Sequence, residues 1–242
     1  MRGRNILAII LPLLLVFAAI FMITGSTQEQ SSQAKNQRKR FDENRLPIAD
    51  YSAGESSDPS ERLKRREKSK KYDKSEWRIY PGATSNMVRV DAVDLNLPDL
   101  PVAKSEAVII GQIMDAKAYL SNDKSGVYSA FNVRVDEVIK NSSGKSLSVG
   151  SLVEVERDGG RVRFPNGRLL VYSINDYDMP QIDSRYVFFL TSPNDSDFQI
   201  LTGYELREGK VYPLDDLPKL RRFENTDEAT LLRELRSSLV QQ

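Results

Sequence analysis

The chain contains no cysteine and no histidine. That double absence excludes disulfides, Cys–His zinc sites, the HExxH metalloprotease motif and both the Ser-His-Asp and Cys-His catalytic groups. It also excludes a lipid-modified cysteine, while leaving the redox compartment open, because exported proteins need not carry disulfides. An excess of either charge is missing too. Lys and Arg total 35 and Asp and Glu 34 in 242 residues, a formal net charge of +1. A dedicated nucleic-acid domain is normally visibly basic, so specific nucleic acid is not an expected partner. No Gly-Lys-Ser/Thr loop opens a helix and no βαβ pattern surrounds a glycine fingerprint, so no nucleotide cofactor is expected.

Long apolar runs are scarce as well, with one exception. After Met1, Arg2 and Arg4 an uncharged, mostly apolar stretch extends from Ile6 to Ile23. About 20 residues of helix span the hydrocarbon core of a bilayer, and a cleaved signal peptide has an apolar region of only about 7 to 15. Residues 1–25 are therefore expected to be an uncleaved signal anchor, with a cleaved, secreted form as the alternative. Pro12 is tolerable in such a helix. Arg2 and Arg4 favour a cytoplasmic N-terminus and export of the bulk of the chain, against competition from Lys35, Arg38, Lys39 and Arg40.

Residues 26–84 are dominated by Ser, Gln, Lys, Arg, Glu and Asp, too polar to offset the entropy of ordering. They are expected to be a disordered tether, partly helical around residues 59–76, where Asp58, Pro59 and Glu61 form a helix start. That helix has only Leu63, Tyr72 and Trp77 as large apolar groups and reads as a solvated spacer. The functional alternative has Arg62, Lys64, Arg65, Arg66, Lys68, Lys70 and Lys71 gripping a polyanion or an acidic membrane surface.

From residue 85 to 224 short alternating segments recur between turn residues, the pattern of a small all-β barrel or sandwich. "AVIIGQIMDAKAYL", "VYSAFNVRVDEVI", "SLVEVE", "RLLVYSI", "RYVFFL" and "FQILTGYEL" read as strands, and "EGKVYPL" closes a hairpin at Glu208-Gly209. Period two predicts one face toward a core and the other toward water, with Val153 and Val155 inward and Glu154 and Glu156 outward. Gly111 within its strand predicts a bend or bulge. Residues 225–242 read as an amphipathic helix capped by Asn225 and Glu228, with Leu231, Leu232, Leu235, Leu239 and Val240 on one side.

"ERDGGRVRFPNGR" reads as turn, short strand, turn, since glycine and Asn-Gly supply the positive φ that tight turns need. Its arginines, Arg157, Arg161, Arg163 and Arg168, form a candidate anion-binding edge; exposed basic residues on strands equally deter edge-to-edge pairing. Asp176, Asp178 and Asp183, and Asn194, Asp195 and Asp197, offer oxygen ligands in loops but lack EF-hand spacing and read as turn formers, so no metal is expected. Asp136 and Glu137, adjacent on a strand, point to opposite faces and do not suit shared acid–base work. Tyr172, Tyr186, Phe188 and Phe189 are candidates for stacking bases, or for core.

At "VIIGQIMDAKAYL", "FNVRVDEVIKN", "VEVERDGGRV" and "RYVFFL" the chain resembles a group of uncharacterised exported bacterial proteins with a small OB-like β-barrel. The resemblance covers roughly residues 105–215. It implies a fold, an OB-like antiparallel barrel, but no activity and no site residue. The expectation is thus a mainly β protein, an OB-like barrel with a C-terminal helix, anchored in a membrane through its N-terminal helix and acting as a non-enzymatic binding or envelope-associated module toward an unknown protein or polyanion. The alternatives are an OB-type polyanion binder using the arginine turns, and an enzyme using carboxylates, Ser or Lys.

Overall fold

Alternating apolar residues and glycine-marked turns set the strands, and the computed structural model assembles them into two sheets. It describes residues 43–77, 79–90, 94–193 and 197–240. The expected membrane anchor, the first part of the tether, Asn194 and Asp195 lie outside these. Among the described residues no helix is long and apolar enough to cross a membrane. The elements are β1 (Ile48–Asp50), α1 (Pro59–Ser69), β2 (Met87–Arg89), β3 (Ala107–Leu120), β4 (Val127–Asn141), β5 (Leu152–Asp158), β6 (Gly160–Arg163), β7 (Leu169–Ile174), β8 (Arg185–Thr191), β9 (Phe198–Arg207), β10 (Lys210–Pro213) and α2 (Glu228–Val240).

The larger sheet has the order β10-β9-β5-β4-β3-β8, and an additional β8–β9 pairing brings its ends together into a partly closed ring. Its neighbours are antiparallel except at one seam, where β5 meets β9 in parallel through just Val155↔Phe198 and Glu156↔Gln199. Directly opposed residues share a face, and the pairs Ile113↔Val133, Phe131↔Val155 and Ile109↔Phe188 are all fully buried. Gly111 sits at a register shift in β3. A Cβ there would lie 2.5 Å from Val133 Cγ1 and 2.7 Å from the Arg134 carbonyl oxygen, so the close strand approach requires glycine.

The expectation that each strand has one wet face fails for β3 and β8. Val108, Ile110, Val187 and Phe189, on the face opposite Ile109 and Phe188, are buried too. They form a second core with Tyr204, Leu217, Leu220, Phe223, Leu231 and Leu235, so the C-terminal segment and α2 cover the outside of the sheet. α2 starts later than expected. Asn225 has φ 62° and belongs to the preceding turn, whereas Asp227 accepts the first helical hydrogen bonds through its carbonyl. Val240 is 88% exposed and does not join the apolar side.

The smaller sheet, β1-β6-β7-β2, corrects the expected domain boundary. β1 pairs in parallel with β6 and β2 in parallel with β7, so a segment read as tether supplies an edge strand. Ala49, Trp77, Ile79 and Ala83 pack with Val162, Phe164, Leu170 and Tyr172. Residues from Glu43 onward form one compact unit, and the described part of the expected tether is not a free spacer. Few large apolar residues suffice here because Trp77, 1% exposed, is among the largest fully buried side chains. The turn, short strand, turn reading of "ERDGGRVRFPNGR" matches β6 and its flanks, with positive φ at Gly159, Gly160 and Gly167.

Trp77→Ala is expected to lower unfolding stability by about 3–5 kcal/mol, the usual cost of emptying a large aromatic site. Urea unfolding followed by circular dichroism checks this; an unmoved midpoint would mean that the segment is a spacer after all.

Candidate functional site

Lysines from α1 and carboxylates from β5 meet over the seam. Asp58 caps α1, accepting from the Ser60 backbone N–H at 2.8 Å, and Pro59 opens the first turn, as the sequence predicts. The helix then runs into a 3-10 turn at Lys70–Tyr72. Residues three apart fall on one side of such a helix, which places Arg65, Lys68 and Lys71 toward the larger sheet.

Lys68 Nζ lies among three carboxylates: Glu154, Glu156 at 3.1 Å and Asp197 at 2.9 Å. Lys71 pairs with the other oxygen of Glu156, and the Tyr72 hydroxyl donates to that oxygen at 2.8 Å. The Tyr72 ring stacks on Tyr128 at a centroid distance of 4.0 Å, and Ser69 Oγ hydrogen-bonds the Tyr128 hydroxyl. The Arg65 guanidinium lies over Tyr119, 4.1 Å from its centroid. Glu156 is fully buried, and only such close cations make a buried carboxylate tolerable. Glu154, Glu156 and Asp197 have oxygens within 4.8 Å of one another, a spacing compatible with a metal ion, and the Lys68 ammonium sits in their midst.

The cluster shapes its own titration. Burial pushes Asp197 up, but the Lys68 hydrogen bond and charge outweigh it and hold the carboxyl below its ordinary value. Burial, with the charges of Glu156 and Asp158, raises the Tyr72 phenol. Burial also raises Asp158, against the pull of Arg89 and Lys71.

The four candidate arginines are not brought together. Arg157 is buried in an ion pair with Asp215, and its guanidinium lies 3.4 Å from the Tyr177 ring centroid. Arg161 donates to the Leu46 carbonyl, and Arg168 to the Ala83 carbonyl at 2.6 Å. Arg163 is exposed on β6. Three of the four thus tie strands to neighbouring segments. Among the basic residues of α1 and the 3-10 turn after it, Lys68 and Lys71 face the acids and Arg66 pairs with Glu55, while Lys64 and Lys70 are exposed.

The aromatic candidates are core. Tyr172, Tyr186, Phe188 and Phe189 are at most 3% exposed, which removes them as a base-stacking platform. Asp176 and Asp183 take positive φ, as turn formers do. Asp178 instead lies beside the buried Arg157–Asp215 pair, its backbone N–H donating to Asp215 at 3.0 Å. Asp136 and Glu137 part company, to Arg185 and Arg236.

Sequence reasoning placed Glu154 and Glu156 on one face of β5 and gave that face to water. The alternation was right and the neighbour was not. The Arg65, Lys68, Lys71 spacing was the only local signal for what covers it. Compared with family models, curated proteins and solved structures, the chain matches none.

Burial, with the Asp215 charge beside it, pushes Asp178 from 3.8 up to about 6. The native state then binds this proton more tightly than the unfolded chain, so stability falls as pH rises from about 4 to about 6. Asp178→Asn is expected to gain on the order of 1 kcal/mol at pH 7, the gain vanishing below about pH 4. Urea midpoints measured across that range check the sign; a gain that persists at pH 3 would contradict the assignment.

Proposed function

We propose that this chain is a membrane-anchored, non-enzymatic binding module whose exported part is an OB-type barrel. The apolar run from Ile6 to Ile23, read from the sequence, supports the anchor, and the arginines before it support export of the rest of the chain. Support for the OB reading comes from the ring β3-β4-β5-β9-β8, partly open at the seam where β5 and β9 run parallel, since an OB fold is a five-stranded, partly open Greek-key barrel.

The observation that carries the non-enzymatic reading is that cations engage every carboxylate of the cluster, although Glu156 Oε1 itself lacks a hydrogen bond. Glu156 is fully buried and both of its oxygens face cations or the Tyr72 hydroxyl. A general acid or base must reach a substrate proton directly or through one water. Glu156, held this way, braces a surface and exposes no reacting atom, while the half-exposed Glu154 and Asp197 are both engaged by Lys68. Polyanion binding through the arginine turns is disfavoured because Arg157, Arg161 and Arg168 are engaged by Asp215 and by the Leu46 and Ala83 carbonyls.

The expected outcome in cells is that the full-length chain stays with membranes after alkaline extraction, and that a reporter fused after Gln242 is active only outside the cytoplasm. Cytoplasmic activity of that reporter would overturn the export reading. The chain is also expected to pass heparin without retention at physiological ionic strength; steeply salt-dependent retention would restore the polyanion alternative.

A further inference from the structure

We infer that the β4–β5 face of the barrel is a recognition surface for a basic helical segment of a partner polypeptide, and that residues 55–76 cover it as a resident intramolecular strap. The inference rests on the binding-module reading and names its site and partner chemistry. In OB folds the face of the second and third barrel strands, with the loops flanking it, takes the ligand. Here those strands are β4 and β5, and α1 lies over them. On one side the strap meets the β3–β4 loop: Asn122 donates to the Arg66 carbonyl, and Asp123 accepts from the Lys74 backbone N–H at 2.7 Å. On the other it meets Asp197, just before β9.

The chemistry under the strap selects cations. Glu154, Glu156 and Asp197 receive Lys68, Glu156 also receives Lys71, and the Tyr119 ring receives Arg65. The strap therefore presents cations at three-residue intervals, and the face answers each with a carboxylate or a ring. A helix of another polypeptide with the same spacing would find the same acceptors.

The mode of attachment makes exchange feasible. Ser69 is the one buried residue of α1, and Leu63, its only large apolar side chain, is 64% exposed. The apolar anchors lie at the edges: Ala49 and Trp77 beyond the strap, and Tyr72 on Tyr128 near its end. Between them the strap is held by ion pairs and hydrogen bonds: salt screens the half-exposed Lys68–Glu154 and Lys68–Asp197 pairs, and an incoming cationic helix replaces both lysines at the buried Glu156. The apolar core of the ring contains no residue of the strap's helix, and an incoming helix that supplies its own cations keeps the β5–β9 seam braced during exchange.

Two measurements on the full chain test this. By hydrogen exchange, the backbone amides of residues 59–72 are expected to exchange faster than those of β4 and β5, with the gap widening from 50 to 500 mM salt. A labelled peptide of residues 55–76 is then titrated at 50 mM salt into the wild-type and Arg65→Ala chains. The tethered copy competes at an effective millimolar concentration, so loosening it with Arg65→Ala is expected to tighten peptide binding about two- to fivefold. A peptide carrying Lys68→Glu and Lys71→Glu is expected not to bind. Strap amides that exchange in step with the β4 and β5 amides would overturn the proposal. So would peptide binding that is absent from both chains, unchanged by Arg65→Ala or indifferent to the charge reversal. A cytoplasmic reporter would sink the export reading and leave these titrations untouched, so the two failures are distinct.

Discussion

The ring depends on how its seam is held. Every other junction of the ring is a ladder of several residue pairs, whereas β5 and β9 share two. Two charged braces flank that short contact. On the side of Glu154 and Asp197, Lys68 bridges the acids of β5 to the residue that leads into β9. On the other side Arg157 of β5 reaches Asp215, which accepts a hydrogen bond from Thr202 of β9 at 2.7 Å. Tyr177, under the Arg157 guanidinium, donates to the Ile200 carbonyl of β9 at 2.8 Å. Where backbone pairing runs out, side-chain charge takes over. Removing one partner of a buried pair leaves the other uncompensated, so the braces define the geometry of the seam more than they add net stability.

The same economy of backbone pairing explains the additions to the ring. A ring of this size has an outer surface, and β3 and β8 are too apolar on that side to face water. The C-terminal segment answers this with Leu217, Leu220, Phe223, Leu231 and Leu235. The small sheet needs an equivalent cover, and Trp77, Ile79 and Ala83 supply it from a stretch whose composition is mostly polar. Both termini of the folded unit thus wrap the central strands, and the strap over the β4–β5 face is the portion of that wrapping attached by charge instead of apolar area.

Much of the local structure was legible before any fold was known. Asp58-Pro59 capping, the Glu208-Gly209 hairpin, the Gly159-Gly160 and Asn166-Gly167 turns and the Gly111 irregularity all arise from backbone preferences of a few adjacent residues. The site was not legible, because its members are distant in sequence. Lys68 and Glu154 lie 86 residues apart, and nothing near either announces the other. The partners of three arginines of "ERDGGRVRFPNGR" were hidden for the same reason: the acceptors of Arg161, Arg168 and Arg157, namely Leu46, Ala83 and Asp215, are set by the fold.

The sequence by itself determined most of the segments that become strands and helices, though not β1, where the chain turns, and which catalytic chemistries are excluded, since alternation, capping and residue inventory are properties of short windows. Tertiary structure alone decided that a lysine-rich stretch with the composition of a spacer would close over one face of the ring. A lysine is cheap in water and costly in a core, and only an arrangement that brings three carboxylates around it can reverse that preference.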